Sequence, residues 1–125
     1  KESFEQTIYA HIFEDIPIEE LARMCNRSLT SFKKEFKKHF IEPPHRWFIK
    51  QRLMHARLLL ISTNKSISEV GLECGFPNTS HFIKLFKKAY DHTPAGYRHR
   101  HVVNSYSTEV ESVGAVDEQP IAVGE

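Results

Sequence analysis

Apolar side chains recur along this chain every third or fourth residue, the spacing that lines one side of a helix. Phe4, Ile8 and Ile12 predict a first helix, with Ser3 as its N-cap and an end near Glu14. Pro17 opens a second helix at a position where its missing N–H costs little, and Ile18, Leu21, Ala22 and Cys25 form the inner stripe. Asn26 falls at a turn, where asparagine tolerates left-handed backbone. Ser28 caps a third helix that turns Leu29, Phe32, Phe36 and Phe40 inward. Pro43 and Pro44 break the chain and start a long helix. Ile49, Leu53, Ala56 and Leu60 make its stripe, with Arg46, Lys50, Arg52 and Arg57 around the rest, and Ser62-Thr63-Asn64 marks its end. Ser66 and Glu69 have the spacing of a capping box for a fifth helix, which places Ile67, Val70 and Cys74 inside. Gly75 is the turn glycine, Asn78 or Thr79 the next cap, and Phe82, Leu85, Phe86 and Ala89 the inner face of a sixth helix. Pro94 starts a short last helix that reaches about Arg100. The expectation is an all-α protein of seven helices.

Two of these stretches are copies of one another. Ile18, Glu20, Leu21 and Cys25 lie 49 positions before Ile67, Glu69, Val70 and Cys74. Phe32, Phe36, Lys37, Lys38 and Phe40 lie 50 before Phe82, Phe86, Lys87, Lys88 and Tyr90. The offset changes by one residue within the turn, where a change of length is cheapest. Each copy reads as helix, tight turn, helix. The division expected is a first subdomain over about 3–42, a linker helix over about 44–62 and a second subdomain over about 66–101.

Charge sharpens the picture. The net charge is +1, yet residues 1–101 hold all 17 Lys and Arg and carry a balance of +6, while residues 102–125 carry −5. A basic body points to a polyanionic partner. The helical period stops after His101, so 102–125 is expected to be an acidic, disordered tail. No apolar run is longer than Leu58–Ile61, so neither a membrane span nor a signal peptide is expected. Lys1 is not a natural start, and the expectation is a piece of a longer chain. Cys25 and Cys74 occupy equivalent places on apolar stripes, which fits small buried hydrophobes in a reducing cytosol better than a disulfide.

With Phe32 and Phe36 inside, a step of about 100° per residue puts Thr30, Ser31, Lys34 and Lys38 on the outer face of the third helix, flanked by Lys33 and Lys37. The sixth helix turns Ser80, His81, Lys84 and Lys88 outward, with Thr79, Ile83 and Lys87 at the margins. Short hydroxyls near a helix start, followed one turn later by lysines, suit a DNA major groove: hydroxyls approach base edges, and lysines reach guanine or phosphate. A run of lysines is more often a solvated face. Here the same chemistry recurs after the same turn in two copies. The helix from Pro44 to Ile61 spans about 27 Å at ~1.5 Å per residue, close to the ~34 Å between successive major-groove segments on one side of a duplex. One chain would then address both without a palindromic site.

These residues resemble the DNA-binding domain of the AraC/XylS family of bacterial transcription regulators over about Ile8 to Arg98. The most specific matches are Ile67-x-Glu69-Val70, Gly75-Phe76-x-Asn78-x-Ser80-His81-Phe82, Phe86-Lys87-Lys88 and Thr93-Pro94-x-x-Tyr97-Arg98. Leu21-Ala22, Ser28 and Phe36-Lys37-Lys38 match in the first copy, and Arg52-Leu53, Ala56 and Leu59-Leu60 in the linker. The resemblance implies two helix-turn-helix units joined by a long helix, and promoter binding that usually activates transcription. It places base contacts at Thr30, Lys33 and Lys34 and at Thr79, Ser80 and Lys84. The phosphate contacts expected around them are Ser28, Ser31, Lys37, Lys38, Arg52, Asn78, His81, Lys87, Lys88 and Arg98. Several positions depart from the pattern. Ile41 and Asp91 stand where a glycine usually follows each recognition helix; Asp tolerates that turn, whereas Ile should strain or remodel it. Arg27 takes a commonly apolar place, Gly71 that of an alanine, and Ile83-Lys84 that of a Ser-Arg pair. Lysine lacks the guanidinium fork, which weakens guanine readout.

An enzyme is not expected: the chain has no phosphate-cradling glycine loop, no Gly-x-Ser-x-Gly and no plausible carboxylate pair. Alkyl transfer by a cysteine, a chemistry found beside this kind of module, would need a thiol with a basic neighbour. His92, His99 and His101 lack the ligand spacing of a metal site, so no cofactor or metal is expected. A helical interaction module with lysines for solubility is the remaining rival, distinguished by DNA affinity that is absent or indifferent to salt. Trp47 and Phe48 are expected to pack between the first unit and the linker. The partners expected are promoter DNA, RNA polymerase, and a sensor or dimerisation part elsewhere in the protein, in the cytoplasm at the nucleoid.

Overall fold

Caps and prolines set the helix boundaries. A computed structural model describes residues 3–101, and the tail expected to be disordered lies outside them. Among the described residues there are helices and no strands: α1 Phe4–Ala10, α2 Ile18–Met24, α3 Leu29–His39, α4 Pro44–Ser62, α5 Ile67–Glu73, α6 Thr79–Tyr90 and α7 over 94–101. Ser3 and Gln6 close a reciprocal capping box on α1. Ser66 and Glu69 do the same before α5, at 2.8 and 3.1 Å. Ser28 accepts from the Ser31 N–H at 3.2 Å; of the two candidates before α6, Asn78 takes the role, accepting from His81 N–H at 2.9 Å. The first helix is shorter than its apolar period predicts. It ends at Ala10, and residues 11–13 form a turn that still buries Ile12.

The chain falls into two compact units. One runs to His55 and includes Glu73–Gly75; the other takes Ala56–Leu72 and continues from Phe76. The helix read as a linker therefore contributes its first turns to one core and its last turns to the other.

The first core gathers Ile8, Ile12, Leu21, Ala22, Phe32, Phe36, Phe40, Trp47 and Phe48. Phe36 is fully buried, with the rings of Phe40 at 4.4 Å, Trp47 at 5.7 Å, Phe32 at 6.0 Å and Phe48 at 6.2 Å. Such pairs hold α3 against α4 with a fixed geometry beyond simple area burial. Ile16, Ile18 and Cys25 close the edge of this core, half-buried. In the second unit Leu60, Val70, Phe82, Phe86 and Pro94 are buried. Phe76 stacks on Phe82 at 5.2 Å, and Tyr97 meets the edge of Phe86 at 5.5 Å. Leu85 is only half-buried and Ala89 is exposed, so the inner face of α6 is narrower than expected and rests on its two phenylalanines.

The copies extend past their recognition helices. Pro44 and Pro94 both open the next helix, and Trp47 and Tyr97, three residues on, meet Phe36 and Phe86 nearly edge to face at 76° and 74°. One arginine then closes each unit. Arg52 donates to the carbonyls of Ile12 at 2.6 Å and Glu14 at 2.7 Å, just beyond α1. Arg98 donates to those of Leu60 at 2.8 Å and Thr63 at 3.2 Å, at the end of α4. Each guanidinium donates to carbonyls at or just past a helix end, where the helical ladder stops.

Candidate nucleic-acid interface

The two turns aim the two helices. Asn26 (φ 58°) and Gly75 (φ 98°) are left-handed, as the turn requires. At Gly75 a Cβ would also lie 3.0 Å from the Phe13 carbonyl oxygen, so glycine is demanded twice. Gly71 has a packing reason instead, since a Cβ there would stand 2.8 Å from the Phe82 ring.

Beyond the turns, each helix buries two phenylalanines, which fixes what faces out. In α3, Thr30, Lys33, Lys34, Lys37 and Lys38 are exposed. In α6, Ser80, His81, Lys84, Lys87 and Lys88 are exposed, while Thr79 and Ile83 are half-buried. Among the described residues, Lys33, Lys34, Lys37, Lys84, Lys87 and Lys88 enter no ion pair, and α6 contains no acid at all. The acid of α3, Glu35, is drawn to the side by Arg27 at 3.6 Å and His39 at 2.9 Å, with Lys38 at 3.6 Å. The hydrogen bond from His39, ahead of the charges of Arg27 and Lys38, holds its carboxyl below the usual range despite partial desolvation. Both outward faces are therefore positive and hydroxyl-bearing, with lysine heads in water.

The expected contact residues divide into three groups. Thr30, Lys33, Lys34, Ser80 and Lys84, with Lys37, Lys38, His81, Lys87 and Lys88, lie exposed on their helices. Ser28 and Asn78 are exposed but already engaged as caps, and Thr79 donates its hydroxyl to Ser68 of α5 at 3.2 Å. Ser31 is half-buried and accepts from Arg27 at 3.0 Å, while the Arg27 guanidinium lies 5.7 Å from the Phe4 ring centre. The last group is two arginines already engaged within the fold. Arg52 is only 9% exposed, and burial pushes its pKa down against the opposing pull of Asp15. Its side chain turns inward to the Ile12 and Glu14 carbonyls. Arg98 is half-buried on the equivalent duty. Helical spacing alone had placed Arg52 on the solvent side, because periodicity does not register carbonyls 40 residues earlier.

At the exits the copies part. Asp91 is left-handed at φ 64°, in the glycine-like conformation expected. Ile41 escapes strain because α3 ends earlier: Phe40 is extended at φ −132°, and Ile41 is left fully exposed. The thiols are poor nucleophiles. Burial pushes Cys74 up to about 12, with Glu73 adding to it, and raises Cys25 against the pull of Arg27.

Paired helix-turn-helix units with positive, hydroxyl-bearing second helices define the class: a tandem helix-turn-helix protein of the transcription-regulator kind. A helix-turn-helix domain family matches residues 21–100. The chain belongs to it, in the AraC/XylS type. It is 38% identical over 88 residues to the xylose operon regulatory protein of Escherichia coli (strain K12), covering 70% of this chain and 22% of that protein. An AraC-type DNA-binding domain regulator from Chromobacterium violaceum is similar in structure, with TM-score 0.65, 29% identity and coverage of 78% and 87% of the two chains. The DNA-binding domain of AdpA, solved with a target DNA, shares the fold at TM-score 0.73 and 23% identity, covering 91% of this chain and all of that one. The chain spans about a fifth to a third of the length of the curated relatives it matches.

Proposed function

We propose that this chain is the promoter-binding part of a bacterial transcription regulator, with α3 and α6 entering successive major-groove segments of one duplex. The observation that carries this is the repeated presentation: a left-handed turn, a side-chain cap, and a helix whose outer face holds hydroxyls in its first turn and unpaired lysines in the next. Thr30, Lys33, Lys34, Ser80 and Lys84 read bases, with Thr79 as acceptor only while its proton goes to Ser68. Lys37, Lys38, His81, Lys87 and Lys88 hold phosphates, joined by the free valences of the caps Ser28 and Asn78 and by Ser31.

Activation is the mode the family resemblance implies, with RNA polymerase as protein partner. The large unmatched share of the relatives supports a sensing or dimerising part elsewhere in the regulator. No described helix is long and apolar enough to cross a membrane. The cytoplasm, at the nucleoid, is the working place, and no catalytic step is assigned.

The test is a footprint on a duplex selected from a random pool by the chain itself. Lys34→Ala and Lys84→Ala should each weaken binding about tenfold or more, erasing protection in different halves of the site, with a salt slope reduced by about one. Unchanged affinity and footprint in both variants would remove α3 and α6 from the reading.

A further inference from the structure

At the margin of the outer face of α6, between the hydroxyl turn and the lysine turn, stands an apolar side chain, Ile83. The fully buried side chains of α6 are Phe82 and Phe86, and Ile83 lies beside them, half-buried. Ile83 lies about 100° round from Phe82, half in solvent, one turn beyond Ser80 and one before Lys87, beside exposed Lys84. A β-branched residue is also a poorer helix former than lysine or alanine. The equivalent place in α3 holds Lys33, exposed and in the same relation to Thr30, Lys34 and Lys37. The two helices thus present the same frame with one exchange at its centre, a cation in one and a branched hydrocarbon in the other.

The major groove contains one apolar group, the C5 methyl of thymine; the remaining base-edge features there are hydrogen-bond donors and acceptors. We infer that Ile83 packs against a thymine methyl in the half-site read by α6, while Lys33 meets an acceptor, guanine or phosphate, at the matching place in the other half. This rests on the reading of α6 as a recognition helix and adds a specificity to it. Thr79, one turn before Ile83, is engaged with Ser68 of α5 at 3.2 Å, while Ser80 beside it is exposed.

The experiment uses the duplex selected from the random pool. Each thymine in the half whose protection depends on Lys84 is replaced in turn by uracil, which removes only the methyl. One replacement should weaken the unaltered protein about fourfold, the worth of one buried methyl. Ile83→Ala should bind the thymine and uracil duplexes alike, and Ile83→Val should keep most of the preference. If every uracil duplex binds the unaltered protein as well as its parent, or no thymine is selected in that half, the inference is overturned while the Lys84 effect keeps the wider reading. It is equally overturned if Ile83→Ala retains the full uracil penalty. Should Lys34→Ala and Lys84→Ala both leave binding unchanged, the wider reading itself falls. Because the methyl is removed from the DNA, a poorly folded Ile83 variant cannot mask the first comparison.

Discussion

The two helix-turn-helix copies reach one geometry through different residues. In the first, the turn rests on Asn26, which bears its side chain at φ 58°; in the second, Gly75 has the same role with a carbonyl oxygen at its back. At the far end, α3 stops in extended backbone and leaves Ile41 in solvent, whereas α6 continues into a left-handed Asp91. His39 on the last turn of α3 bridges Glu35 and Glu5 of α1, and its counterpart in α6 is Ala89. What the copies keep is the pair of buried phenylalanines and the aromatic that meets the second of them. Those contacts set helix direction, while the turn and exit residues have only to permit it. Duplicated units can therefore diverge at the ends and on the outer face without losing the presentation of that face.

The closing arginines offer the strongest way to break this symmetry. Arg52→Ala should cost about 3 kcal/mol in urea unfolding, since it removes a buried donor to the Ile12 carbonyl and a second bond to that of Glu14. Arg98→Ala should cost about half as much, because its site is partly open to water. Equal losses would show that the two latches matter alike and that burial does not set the difference.

The turns come next. Gly75→Ala should destabilise by about 2 kcal/mol, combining positive φ with a close approach to the Phe13 carbonyl. Asn26→Gly should be neutral or stabilising by a few tenths to about 1 kcal/mol, since only conformation is at stake there. Melting curves of the two variants check both, and a costly Asn26→Gly would reveal a side-chain role the geometry does not contain.

The smallest effect is one of pH and belongs to the first copy alone. His39 is raised above its ordinary pKa, chiefly by its hydrogen bond to Glu35 and then by Glu5, against some desolvation. A raised folded pKa contributes stability that is complete below the unfolded value of about 6.5 and disappears as pH climbs through the folded value. The first unit should thus loosen slightly as pH rises beyond about 6.5, and His39→Gln should flatten that slope. Glu35 works from the other side, with a lowered pKa whose contribution is lost on acidification. NMR titration of the His39 ring, with melts across the same range, reads both; an identical slope in His39→Gln would clear His39 of any part.

How far the fold was legible follows from the range of each interaction. Six helices, the prolines that open them, the caps at Ser3, Ser28, Ser66 and Asn78 and the left-handed Asn26 and Gly75 depend on residues within four positions of one another, so spacing alone determined them. The same short range determined which sides of α3 and α6 carry lysine, because two buried phenylalanines four apart orient a helix. Tertiary structure decided the rest. Arg52 and Arg98 look like solvent-facing cations until carbonyls 35 to 40 residues earlier come within reach of their side chains. Ile41 looks strained until α3 ends one residue sooner, Ala89 looks buried until Phe82 and Phe86 prove to fill the contact, and Gly71 is explained only by the ring above it. A long side chain or a glycine answers to whatever the fold brings beside it, and that partner lies too far along the chain for any local period to record.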